Sequence, residues 1–160
     1  ARARAVAASG LPPADKIRAF VDTFAAEAQA RPHFPPIWFR EVADGGARLD
    51  DATLVDMTGV LKALAAIIEE GVRARTFRPV NPLLLHAGIV GPVLLFFASD
   101  GIRRRVERLL AAVGLSEHAG SQNRAIVKIA ATVAQDEVVA HVQRVALGLL
   151  EGRLPERIQA

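Results

Sequence analysis

The sequence predicts an all-α fold, a helical bundle of roughly six or seven helices built around one central helix. Three observations predict it. Apolar residues recur by threes and fours along most of the chain, whereas the strict alternation of a half-buried strand fails in every window. The glycine pairs bound helical stretches rather than hairpins. From Leu83 to Ala98 only His86 has a polar side chain, and a helix without a polar face has to be covered by protein or by lipid. At about 16 residues it is shorter than the roughly 20 that span a bilayer, which favours a protein interior and no membrane contact.

The chain's 160 residues suit one domain with a sizeable core, and 51% hydrophobic against 23% charged residues is too apolar for a disordered tail. The absence of cysteine excludes disulfides and thiolate metal sites and fits a reducing compartment. A net charge of +3 is too small to argue for nucleic acid. The first nine residues, ARARAVAAS, lack the apolar core of a signal peptide, so a cytoplasmic location is expected.

In order along the chain, ARARAVAAS consists of good helix formers without a cap and reads as the end of a helix that begins earlier. Gly10 to Pro13 break it. A second helix is expected over about Ala14 to Ala30, with Ile17, Phe20, Val21, Phe24, Ala25 and Ala28 on one face. Arg31 to Pro36 reads as a proline corner, followed by two turns from Ile37 to Ala43 that stop at Gly45 and Gly46. Asp50 or Asp51 caps the next helix, in which Leu54, Met57, Leu61, Leu64, Ala65, Ile68 and Val72 form one stripe. Asn81 is a good N-cap for the central helix, with Pro82 where no donor is needed. Pro92 should bend that helix, and Gly88 and Gly91 let neighbouring helices come close.

Asp100 and Gly101 are expected to interrupt the chain before a short helix carrying Ile102, Val106, Leu109, Leu110 and Val113. Its arginines, Arg103, Arg104, Arg105 and Arg108, read as a solvated face, because no aromatic residues interleave with them as stacking on nucleic acid would require. Ser121 can cap a last long helix, Gln122 to Leu150. Along it Val127, Ala131, Ala134, Val138, Val142, Val145 and Leu149 step by fours and threes into one seam. Ile126, Ile129, Ala130 and Val133 widen the apolar arc beyond what one neighbour needs, which points most simply to a partner on that face, the other reading being that the short final segment folds back to cover it.

Catalytic motifs are absent: the chain has no glycine-rich phosphate loop before a lysine, no Gly-x-Ser-x-Gly elbow and no His-Glu-x-x-His pair. Glu137 and His141 stand alone, and the four histidines are scattered, so neither a metal, a cofactor nor an enzyme is implied. His86 on the central helix reads as a hydrogen-bonded core histidine or a ligand contact. Phe24, Trp38, Phe39, Met57, Phe96 and Phe97, with Leu61, can line a small-molecule pocket, and Glu41 and His86 would be its polar handles. The same residues equally suit plain packing.

Several elements together resemble the C-terminal regulatory domain of TetR-family transcriptional regulators. They are Gly71, the link Phe77-Arg78-Pro79-Val80-Asn81-Pro82 before the apolar helix, Phe39-Arg40-Glu41 followed by Gly45-Gly46, and the ending His141 to Leu150 with Gly148-Leu149. Where the family often has a second glycine before the aromatic residue this chain has Arg75 or Thr76, which would be strained by about 1 kcal/mol or more if left-handed. The resemblance implies a homodimer through a four-helix bundle of the central and last helices, and an effector pocket enclosed by residues 14–98. It implies that residues 1–9 end a linker helix to a DNA-binding domain absent from this sequence, that residues 10–160 bind ligand and dimerise, and that operator DNA is met only through the absent domain. The other reading is a free-standing all-α binding or scaffold dimer with no role on DNA.

Overall fold

The computed structural model describes residues 2–112 and 133–153, with only the backbone at 110–112. The described residues form seven helices and no strand: α1 (Arg2–Ala7), α2 (Pro13–Ala30), α3 (Phe34–Ala43), α4 (Asp51–Arg73), α5 (Pro82–Ala98), α6 (Asp100–Ala112) and α7 (Gln135–Leu150). Helix α5 is the centre, packed against α2, α3, α4, α6 and α7. The main core joins Ile17, Phe20 and Val21 of α2 to Leu64 and Ile67 of α4, Ile89 and Val93 of α5, and Val142 and Leu150 of α7. The all-α expectation holds, and local chemistry explains the helix starts. The Asp50 carboxylate accepts the Thr53 N–H at 2.8 Å, and the Asn81 side chain accepts the Leu83 N–H at 2.9 Å, with Pro82 in the first turn.

Several boundaries and faces differ from expectation. Helix α3 begins at Phe34, because Pro35 and Pro36 fall in a first turn that needs no N–H donors. Only Ser99 separates α5 from α6, and the two axes differ by 49°. Asp100 therefore opens α6 rather than interrupting the chain, and its carboxylate pairs with Arg104 at 2.6 Å in the turn where an acid is favoured. Helix α7 does not run unbroken from Gln122: Ala134 is extended (ψ 154°) and Gln135 starts the helix, with Asp136 and Glu137 favouring its N-terminus. Ser121, Val127 and Ala131, with Ile126, Ile129 and Ala130, lie outside the described residues. Leu54 is exposed and Met57 and Leu61 are only half-buried: the first half of α4 has α1 beside it at Asp56 and Gly59, and the buried face of α4 is Ala63, Leu64, Ile67 and Ile68. Gly88 and Gly91 meet no atom of the described residues within 4 Å of a Cβ built on them, so no described helix packs closely there.

Three helices end in the same Schellman arrangement, with the amide of C″ bonded to the carbonyl of C3 and that of C′ to C2. In α3 these bonds are Gly46 to Glu41 (2.7 Å) and Gly45 to Val42; in α7, Arg153 to Gly148 (2.9 Å) and Gly152 to Leu149; in α4, Thr76 to Gly71 (2.9 Å) and Arg75 to Val72. The C′ residue has to be left-handed. Gly45 (φ +70°) and Gly152 (φ +69°) adopt this without cost, whereas α4 uses Arg75 at φ +57°. The strain anticipated at Arg75 or Thr76 thus falls on Arg75. Arg75→Gly should raise unfolding free energy by up to about 1 kcal/mol, since strain relief exceeds the added chain entropy. Urea denaturation of the two proteins checks this, and a destabilised variant would refute it.

Helix α1 lies across α2 and α4 and is tied to both. Arg2 pairs with Glu27 of α2 at 2.9 Å, and Arg4 with Asp56 of α4 at 2.8 Å. Between the three helices sits Lys16, buried, whose Nζ donates to the Ala7 carbonyl at 3.0 Å and to Glu70 Oε2 at 2.6 Å. A cation at the carbonyl end of α1 is favoured by the helix dipole, and Glu70 balances the buried charge.

Candidate functional site

Five of the eight predicted ligand residues come together. Phe24, Trp38, Phe39 and Phe97 pack around Ala28, Val90 and Leu94, where α2, α3 and α5 meet. His86 joins them through Phe24, the two rings edge to face with centroids 5.8 Å apart. Spacing explains the arrangement: His86, Val90, Leu94 and Phe97 recur by fours and threes on α5, opposite Phe24 and Ala28 of α2. Met57 and Leu61, in the first half of α4, do not join the cluster. Phe96 instead turns to α6, where Arg103 lies over its ring at 3.9 Å from the centroid.

Glu41 closes the same helix as Trp38, one turn further on, and only 6% of it is exposed. Its Oε1 accepts from Arg48 Nε at 2.8 Å, and Arg48 also reaches Asp44 through Nη2. Those two hydrogen bonds, Glu41 first, hold the exposed Arg48 guanidinium above its ordinary pKa. Glu41 Oε2 is buried and has no hydrogen-bond partner, alone in this among the described residues. Neither Arg48 nor this asymmetry was expected from the sequence, although a basic residue seven positions past a helical glutamate, beyond a double-glycine stop, was a readable signal.

Burial holds the His86 pKa below the ordinary histidine value of 6.5. The sign follows from linkage. As pH falls through about 6.5 the unfolded chain binds a proton there that the folded chain resists, so His86 leaves stability intact above that pH and lowers it below. Denaturant midpoints measured at pH 7.5 and pH 5.5 should fall on acidification by more in the parent than in His86→Gln; equal falls would show that the imidazole is effectively solvated.

The predicted dimer seam divides. Val142 is 2% exposed and belongs to the chain's own core, and Val138 packs half-buried against it. Ala134 caps the helix, exposed, and Val145 and Leu149 are each 42% exposed. Val142 therefore has no surface left for a partner, because α7 turns this part of its seam onto α2 and α5. Helix α5 in turn is not covered on all sides: Leu84 is 69% and Leu95 59% exposed, with Gly88 and Pro92 open between them. Pro92 and α7 residues including Glu137, His141 and Arg144 border one open cleft of about 630 Å³.

That cleft and four smaller ones, between α4 and the 79–82 link, α1 and α4, α2 and α7, and at the end of α7, contain none of the eight predicted ligand residues. Among the described residues no group of three or more acidic or histidine side chains could hold a metal ion. No single described helix is long and apolar enough to cross a membrane; the bent pair α5 and α6 passes by length and composition only. Comparisons with protein-family models, curated proteins and solved structures find no match to this chain.

Proposed function

We propose that this chain is the ligand-binding and dimerisation part of a TetR-like transcriptional regulator, most simply a repressor, whose effector is a small apolar or aromatic molecule. The observation that carries the reading is where α1 is tied. Glu27, which holds Arg2, lies one turn past Phe24 of the aromatic cluster, while Arg4 pairs with Asp56 of α4, outside that cluster. A ligand that displaces α2 near Phe24 therefore moves α1, the helix that the resemblance connects to a DNA-binding head. Regulation needs only that the effector bind the DNA-incompetent arrangement more tightly than the competent one.

Two further features support it. Helix α3 packs chiefly on α5, with Phe34, Ile37 and Val42 exposed, and its Trp38 and Phe39 cover one side of the aromatic cluster. The open apolar stripe of α5, beside α7, is what a second copy would cover. Native mass spectrometry of the purified protein tests the reading. A dimer carrying extra mass that is lost on denaturation supports it and gives the effector's mass; a bare monomer at micromolar concentration counts against it. The coding sequence upstream tests the link to DNA, since an in-frame helix-turn-helix favours the regulator and a start codon here favours a free-standing binding dimer.

A further inference from the structure

Resting on the effector pocket proposed above, we infer that the effector carries an amine, and that Glu41 is the residue that receives it. A carboxylate paired with Arg48 offers only acceptors, and burying one of its oxygens without a donor is costly. Water is largely excluded, since Glu41 is among the two buried charged residues of the described chain; the other, Lys16, donates to Ala7 and Glu70. What Glu41 Oε2 lacks is a donor from the protein's side of the site.

Local charge selects the kind of donor. Glu41 and Asp44 share the single guanidinium of Arg48, so the trio carries one net negative charge. Arg40, next in sequence, is exposed, and burial favours the neutral form of His86. Within the low-dielectric site a charge-assisted N–H to carboxylate bond is about twice as strong as a neutral one. One turn before Glu41, Trp38 packs on the cluster with Phe24, Phe39 and Phe97, so an ammonium at Glu41 would have aromatic surface within reach of the rest of the molecule. The ligand class is a small aromatic or branched apolar amine. Its ammonium replaces nothing that the protein now supplies to Oε2.

Trp38 is the chain's one tryptophan and lies a single helical turn from Glu41, so its fluorescence reports on the site. The probes are 4-tert-butylbenzylamine and 4-tert-butylbenzyl alcohol, alike in shape and differing in charge, titrated into the full chain and into Glu41→Gln with calorimetry in parallel. The amine should bind the parent about tenfold or more tighter than the alcohol, and Glu41→Gln should remove that difference. Equal binding of both probes to the parent would overturn the amine while leaving the aromatic pocket intact. An amine preference that survives in Glu41→Gln would overturn the role of Glu41. Binding of neither probe would sink the pocket and this inference together. Because Glu41→Gln also weakens the Arg48 contact, Arg48→Gln is measured beside it: amine binding that persists there, with Glu41 intact, shows that loss in Glu41→Gln is not a fold defect, and amine binding lost equally in both overturns the assignment.

Discussion

Gly71→Ala should destabilise the protein by about 2–3 kcal/mol, against the usual rule that alanine is the better helix residue by about 1 kcal/mol. A Cβ at Gly71 would stand 2.0 Å from Phe77 Cδ2 and 2.5 Å from its Cγ, far inside contact distance. Phe77 cannot swing clear cheaply, since its ring is part of the main core and its own N–H donates to the Gly71 carbonyl at 3.1 Å. The next residue is fixed as well: the Arg78 amide donates to the Leu150 carbonyl at 2.6 Å, and its guanidinium lies against Gly152. A methyl at position 71 thus loads the joint between α4, the link to α5 and the end of α7. Thermal unfolding should drop by about 5–10 °C. In a Phe77→Ala background, already weaker by a few kcal/mol, the same Gly71→Ala should be neutral or slightly stabilising, because the clash is gone and only the helix preference remains. A Gly71→Ala protein within about 0.5 kcal/mol of the parent would mean that the ring does not sit on that glycine in solution.

The same joint illustrates what can be read in the sequence and what cannot. Asn81-Pro82 stands out in the sequence because it answers a local need, a cap followed by a proline with no donor to lose, whereas Gly71, Phe77-Arg78 and Gly148-Leu149 stand out only through the family resemblance. The capping of α4 by Asp50 and of α5 by Asn81 follows from neighbours within three residues, and both are found. That Phe77 covers Gly71 while Arg78 covers Gly152 is a tertiary fact with no periodicity to announce it. Lys16 was unreadable for the same reason. A lysine beside Ile17 looks like the edge of a polar face, and only the convergence of Ala7 and Glu70 explains its burial. At the candidate site, spacing was enough to choose Phe24, His86 and Phe97, which meet. It failed for Met57 and Leu61, whose stripe continues smoothly along α4 outside its buried stretch of Ala63 to Gly71. Periodicity describes one helix's surface and carries no information on how far its neighbours extend.

That limit decides how the dimer has to be tested. Val138, Val142, Val145 and Leu149 form one seam by spacing, yet within the chain Val142 is core and the last two are open. Val142→Asp should unfold the protein, because it places an unpaired carboxylate among Ile17, Phe20 and Ile89, a cost of about 4 kcal/mol or more. A monomer produced that way would say nothing about association. Val145→Asp with Leu149→Asp changes only exposed positions, and in an isolated chain should alter stability by no more than about 0.5 kcal/mol each. In the proposed dimer those carboxylates would be trapped at the interface with the Leu84 to Leu95 stripe of α5, where an unpaired charge costs several kcal/mol and the assembly dissociates. Sedimentation velocity at about 5 μM, with circular dichroism on the same samples, separates the outcomes. Folded monomers from Val145→Asp/Leu149→Asp place the partner on this face. Folded dimers from that variant would move the interface elsewhere, and the exposed stripe of α5 would then need a different cover.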